Sequence, residues 1–145
     1  MSVPAKLQAI IDDFQFSEGQ EKLELLLQYA EKLPPLPEWL KNRPVDAVPE
    51  CMTPVAIYAE TQPGWVKFHY DVPPESPTVR GFAAILSEGL EGATPEEILS
   101  VPGDFYQQMG LHKVLSFQRI SGIASILAHI KQLAVRSLEG RQENP

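Results

Sequence analysis

The chain has 145 residues, 43% of them apolar, and a formal net charge of −7 from 19 acidic and 12 basic side chains. That length and apolar content predict one compact domain with a genuine core rather than a disordered chain. The acidic balance, without any Lys/Arg cluster, excludes nucleic-acid binding by phosphate neutralisation, and a lone cysteine excludes an internal disulfide framework.

The N-terminal stretch carries one lysine before Asp12 and Asp13 and no unbroken apolar run. It reads as neither a secretory signal nor a transit peptide. No window approaches a membrane span. The expectation is a soluble cytoplasmic protein with no membrane partner, and the single cysteine suits a reducing compartment.

Leu7, Ile10, Ile11 and Phe14 recur at helical spacing and predict a first amphipathic helix. Ser17 and Gln20 have the spacing of a capping box, which predicts a second helix through Lys32. Its expected inner face is Leu23, Leu26, Leu27 and Ala30. Pro34, Pro35 and Pro37 end it, because proline lacks the donor the next turn requires. The proline-rich stretch 33–54 reads as an extended connection, tacked to the core by Trp39 and Leu40. Residues 55–60 read as a strand, 61–64 as a turn, and 65–70 as a second strand with Val66, Phe68 and Tyr70 on one face. An antiparallel hairpin follows, with the region before Cys51 as the candidate for a third strand.

Ser76-Pro77 opens a helix whose expected inner face is Val79, Phe82, Ala83, Leu86 and Leu90. Gly89 and Gly92 end it. Thr94-Pro95-Glu96-Glu97 forms a capping box that starts a short helix through Leu99. Another short helix covers 104–109 and closes at Gly110. Ser116 caps a long final helix with Ile120, Ile123, Ala124, Leu127, Ala134 and Leu138 inward, Gly140 at its end and a loose tail over 141–145. The expected class is α+β, with a small antiparallel sheet of two or three strands packed against several helices in a single domain.

Cys51 carries the chemistry. It sits in Pro49-Glu50-Cys51-Met52-Thr53-Pro54, bracketed by prolines that forbid a sustained helix, just before the first strand. One reading is a small buried hydrophobe. The other is a thiol displayed on a stiff loop. Around it the usual apparatus is missing. His69, His112 and His129 do not fall at metal-ligand spacings and read as strand or helix surface residues, so no metal site is expected. There is no phosphate-cradling glycine loop. Glu96 and Glu97 belong to a helix N-terminus, where the dipole favours negative charge. A sulfur nucleophile without a base or resolving thiol suits a carrier better than a stand-alone enzyme or redox sensor.

The segments Glu31-Lys32-Leu33-Pro34, Glu50-Cys51-Met52-Thr53-Pro54-Val55, Val79-Arg80-Gly81, Thr94-Pro95-Glu96-Glu97-Ile98 and Leu115-Ser116-Phe117-Gln118-Arg119-Ile120-Ser121-Gly122 occur in order. In that order and spacing, from about Leu7 to Ala134, the chain resembles the SufE family of sulfur-acceptor proteins. The family pattern around its cysteine is Gly-Cys-x-Ser-x-Val-Trp. Here Glu50 replaces the glycine, Thr53 the serine and Ala56 the tryptophan, while the cysteine and Val55 remain. The resemblance implies that Cys51 accepts sulfur from a persulfide on a SufS-type cysteine desulfurase, stimulates that enzyme, and passes sulfur toward iron–sulfur scaffold proteins. Pyridoxal phosphate would belong to the desulfurase, and no cofactor to this chain. Arg119, Arg80 and Glu50 are the implied partner-binding residues. Glu50 beside the thiol should raise its pKa unless a cation intervenes. The alternative is a SufE-like binding module that regulates a partner without carrying sulfur.

Overall fold

The structure, a computed structural model, describes residues 3–41 and 54–143, with side chains to residue 139. Helix α1 (Ala5–Phe16) buries Leu7, Ile10, Ile11 and Phe14 as the periodicity predicts. Helix α2 (Gln20–Ala30) follows, but the predicted capping box does not form. Gly19, at φ +52°, takes the N-cap position and puts Gln20 at the first helical residue instead of the third. The Ser17 hydroxyl donates back to the Asp13 carbonyl at 3.2 Å.

The buried face of α2 is Lys22, Leu26, Tyr29 and Ala30, whereas Leu27, expected inside, is exposed. The reason is what α2 packs against, which is helix α3 (Pro77–Gly89), where Leu26 lies on Gly81, together with the end of α1. The Lys22 ammonium donates to the Phe14 carbonyl in the last turn of α1, where the helix dipole favours a cation. Tyr29 stacks on Phe14 with ring centroids 6.0 Å apart. The helix ends at Ala30, two residues short of the predicted Lys32.

A short 3-10 turn, Glu38–Leu40, buries Leu40. Trp39 stays half exposed and sets its ring edge-on to His69, 5.9 Å between centroids. Strands β1 (Ala56–Gln62) and β2 (Trp65–Asp71) form the antiparallel hairpin, with Ala56 opposite Asp71 and Gln62 opposite Trp65. The predicted four-residue turn shrinks to Pro63-Gly64. Gly64 has φ +83°, and proline followed by such a residue is the pattern of a type II turn. Val66, Phe68 and Tyr70 point inward as expected. Among the described residues the sheet has two strands. The third strand considered before Cys51 would lie outside the described residues.

Helix α3 (Pro77–Gly89) is the centre of the domain. It buries Thr78, Val79, Gly81, Gly89 and every residue from Phe82 to Leu86, far more than one stripe, because α1, α2, β2 and α6 all pack on it. Two glycines permit that crowding. A Cβ on Gly81 would stand 2.3 Å from the Leu26 carbonyl oxygen, and one on Gly89 would stand 2.8 Å from Leu7 Cδ1.

Helix α4 (Pro95–Leu99) has the full capping box. Thr94 Oγ1 accepts from the Glu97 amide at 3.1 Å, and the Glu97 carboxylate accepts from the Thr94 amide at 2.9 Å. Helix α5 (Phe105–Gln108) closes at Gly110, φ +78°, and the 3-10 turn Leu111–Lys113 leads into helix α6 (Phe117–Glu143). Ser116 caps α6 as predicted, its hydroxyl accepting from the Arg119 amide at 3.3 Å.

Gly140 does not end α6, which continues to Glu143. A helical glycine costs only about 1 kcal/mol against alanine and stops nothing by itself. The face of α6 includes Ile126, Ile130 and Leu133 beside the predicted Ile123, Leu127 and Ala134. His129 is on that face and only 4% exposed, correcting its assignment to the surface. It lies three residues after Ile126 and four before Leu133, so helical spacing carries it into the core.

Tyr70 is fully buried, and its hydroxyl has no hydrogen-bond partner among the described residues. Burial, reinforced by Glu91, pushes its phenol far above the usual tyrosine range. Burial, with Glu88 and Asp13, also raises Tyr29. Unfolded tyrosines ionise near pH 10, so above that pH the unfolded chain holds fewer protons than the folded one. Stability is therefore expected to be insensitive to these groups below about pH 10 and to fall above it. Chemical denaturation between pH 9 and 11 checks this. Tyr70→Phe should flatten the alkaline fall, and an unchanged slope would refute the assignment.

Candidate functional site

Cys51 and Glu50 lie outside the described residues; the two ends of the chain that lead to them are described. On one side Leu40 is buried beside Lys41. On the other, Val55 and Ala56 are buried directly after Pro54. The thiol-bearing segment is thus tied to the core at both ends. Ala56, at the family's tryptophan position, begins β1 opposite Asp71.

Asp71, opposite Ala56, ends β2 and leads into the β2–α3 connection, and the two candidate arginines bond to that connection and to the first turn of α3. Arg80 is half-buried, and its guanidinium donates to the Val72 carbonyl at 2.8 Å. That bond fixes the connection between β2 and α3, so Arg80 has a structural task here. Arg119, exposed on the first turn of α6, reaches across to the first turn of α3. Its Nη1 donates to Thr78 Oγ1 at 2.7 Å. Forty-one residues separate the two partners in sequence, and no local pattern points to Thr78. The structure therefore brings the starts of α3 and α6 together at the end of the domain where the chain returns from Cys51 into β1.

The histidines are dispersed. His69 Nε2 is 2.7 Å from a Glu60 carboxylate oxygen and lies under Trp39, His112 is exposed in the 3-10 turn, and His129 is in the core. Among the described residues no cluster of three potential metal ligands exists, and no helix is long and apolar enough to cross a membrane.

A groove of about 560 Å³ opens elsewhere, between α1, the end of α2, β2 and the C-terminal half of α3. Lys6, Asp13, Tyr29, Lys32 and Glu88 line it, and neither arginine does. It is the kind of concavity that attracts attention on size alone. It lies at the other end of α3 from Thr78.

Comparison with known proteins gives this arrangement its context. The family model of the SufE domain, described as an Fe-S metabolism associated domain, matches residues 8–134. An uncharacterized SufE-like protein of Mycobacterium tuberculosis is 42% identical over 132 residues, which cover 90% of this chain and 92% of that protein. The cysteine desulfuration protein SufE of Plasmodium vivax is 27% identical over 138 residues, 92% of this chain and 54% of its own length. A hypothetical protein from Thermus thermophilus, its structure determined in solution, superposes with a TM-score of 0.83 at 35% identity, over 94% of this chain and 98% of that one. The α+β architecture agrees with that structure, the matched residues span nearly the whole described core, and the chain is a member of the SufE family.

Proposed function

We propose that this protein accepts sulfur on Cys51 from the persulfide of a SufS-type cysteine desulfurase, stimulates that enzyme, and relays the sulfur toward iron–sulfur cluster assembly. The observation that carries the reading is the family match over residues 8–134 in a chain with a single cysteine, which the resemblance in its surrounding motif aligns with the family's own. The buried anchors at Leu40 and Val55 support it, because they bind both ends of the thiol segment to a rigid frame.

The chemistry is one thiol exchange. The Cys51 thiolate attacks the outer sulfur of the donor persulfide. The donor's S–S bond breaks, its inner sulfur leaves as a thiolate, and a new S–S bond forms on Cys51. No oxidant or reductant is consumed. The rate follows the thiolate fraction, its nucleophilicity and its access. Pyridoxal phosphate is assigned to the donor enzyme, which makes the persulfide, and the exchange is assigned to the cytoplasm.

The test is intact-mass spectrometry of this protein after incubation with a SufS-type desulfurase and free cysteine. One added sulfur atom on Cys51, removable by a reducing thiol, is expected. An unmodified protein in a mixture where the desulfurase turns over would sink the proposal. It would leave the regulatory-module alternative, in which stimulation persists without sulfur transfer.

A further inference from the structure

Phe117 is 86% exposed on the first turn of α6. An isolated exposed apolar side chain is ordinary, but this one has unusual neighbours. Two residues on, Arg119 is held by Thr78, whose side chain is itself nearly buried. Before it, His112 and Lys113 are exposed in the 3-10 turn. Arg119 and Lys113 form no ion pair among the described residues.

The charge pattern adds an independent observation. None of the chain's 19 Asp and Glu residues lies between Asp104 and Glu139, a stretch that carries Lys113, Arg119, Lys131 and Arg136. An acidic protein thus keeps its longest helix and the turn before it almost free of carboxylates. Side chains on the first turn of a helix lean toward its N-terminal end, so Phe117 and Arg119, two residues apart and on opposite sides of the axis, both border that end of α6. Aromatic residues and arginine are the types that dominate the energetics of protein interfaces. An arginine already braced by a buried hydroxyl loses less side-chain freedom on docking.

We infer that Phe117 is the apolar anchor of the surface that receives the desulfurase at the N-terminal end of α6, with Arg119 across that end and Thr78 as the residue that positions Arg119. The inference rests on the sulfur-acceptor reading for the partner's identity. It also specifies that partner's chemistry. The matching surface has an apolar pocket for the phenyl ring, rimmed by carboxylates that face Arg119 and Lys113.

The experiment is calorimetric titration of a purified SufS-type cysteine desulfurase with wild-type protein, Phe117→Ala and Thr78→Val, at low and high salt. Phe117→Ala is expected to weaken Kd at least about ten-fold. Its thermal melt should match wild type, because the side chain packs on little of its own chain. Thr78→Val should weaken Kd several-fold and flatten the salt dependence, a change that loss of packing alone does not produce. Wild-type affinity in Phe117→Ala overturns the inference. So does absence of binding by the wild type, or a wild-type dimer that Phe117→Ala dissolves, which would mean that a second copy covers this face. The acceptor reading fails separately, when binding is normal and Cys51 gains no sulfur.

Discussion

Cys51→Ser is expected to abolish sulfur acceptance altogether, leaving the protein's mass unchanged after incubation with desulfurase and cysteine. No other side chain can substitute, because the chain contains no second cysteine. A serine hydroxyl is not measurably ionised at neutral pH without a base beside it. A reaction that runs through the anion therefore loses its nucleophile, not merely part of its rate. The readout separates the two functional readings. If Cys51→Ser also ceases to stimulate the desulfurase, stimulation is sulfur removal. If stimulation persists at the wild-type level, the protein acts by docking and the carrier role is wrong.

Gly81→Ala is expected to lose substantial stability, because its added methyl makes the tightest contact among the glycines whose surroundings are described. The new Cβ would lie 2.3 Å from the Leu26 carbonyl oxygen and 2.9 Å from Leu26 Cδ1. The first of these is backbone in the middle of α2, so no side-chain rotation relieves it. Two effects oppose each other. Alanine favours a helix over glycine by about 1 kcal/mol. Overpacking a filled core typically costs about 1–3 kcal/mol and occasionally more, and a contact against backbone belongs at the upper end. Overpacking wins, with a net loss of roughly 2 kcal/mol and a fall in Tm of roughly 5–10 °C for a domain of this size. Gly103→Ala is the control. Nothing lies within 4 Å of its Cβ and its backbone is unstrained, so its melt should be unchanged or slightly raised. Equal melting temperatures for the two variants would show that α2 and α3 are not so closely apposed.

The two arginines illustrate what one-dimensional reading leaves open. Both are candidates for partner contact from sequence. The structure gives Arg80 a carbonyl to hold in the β2–α3 connection and leaves Arg119 exposed with a hydroxyl brace. Their sequence contexts do not distinguish these fates, because the difference lies in what faces each guanidinium across the fold. Thr78 is invisible in the sequence for the same reason. A buried threonine two residues into a helix carries no local signal, and only the approach of α6 to α3 makes it a partner. Lys22 is similar. Its position reads as a solvated turn of helix until α1 supplies a carbonyl for its ammonium.

By itself the sequence determined the elements whose signals are local. Periodicity defined α1 and the inward side of β2, the Thr94 box began α4, and Ser116 began α6. These hold because capping, turn chemistry and side-chain alternation act within a few residues and do not depend on what packs from afar. The tertiary structure alone decided the rotation of α2, the passage of α6 through Gly140, the burial of His129, the crowding around Gly81 and the meeting of Arg119 with Thr78. Each of these depends on which surface arrives opposite, and interhelical packing joins residues whose separation along the chain says nothing about their distance in space.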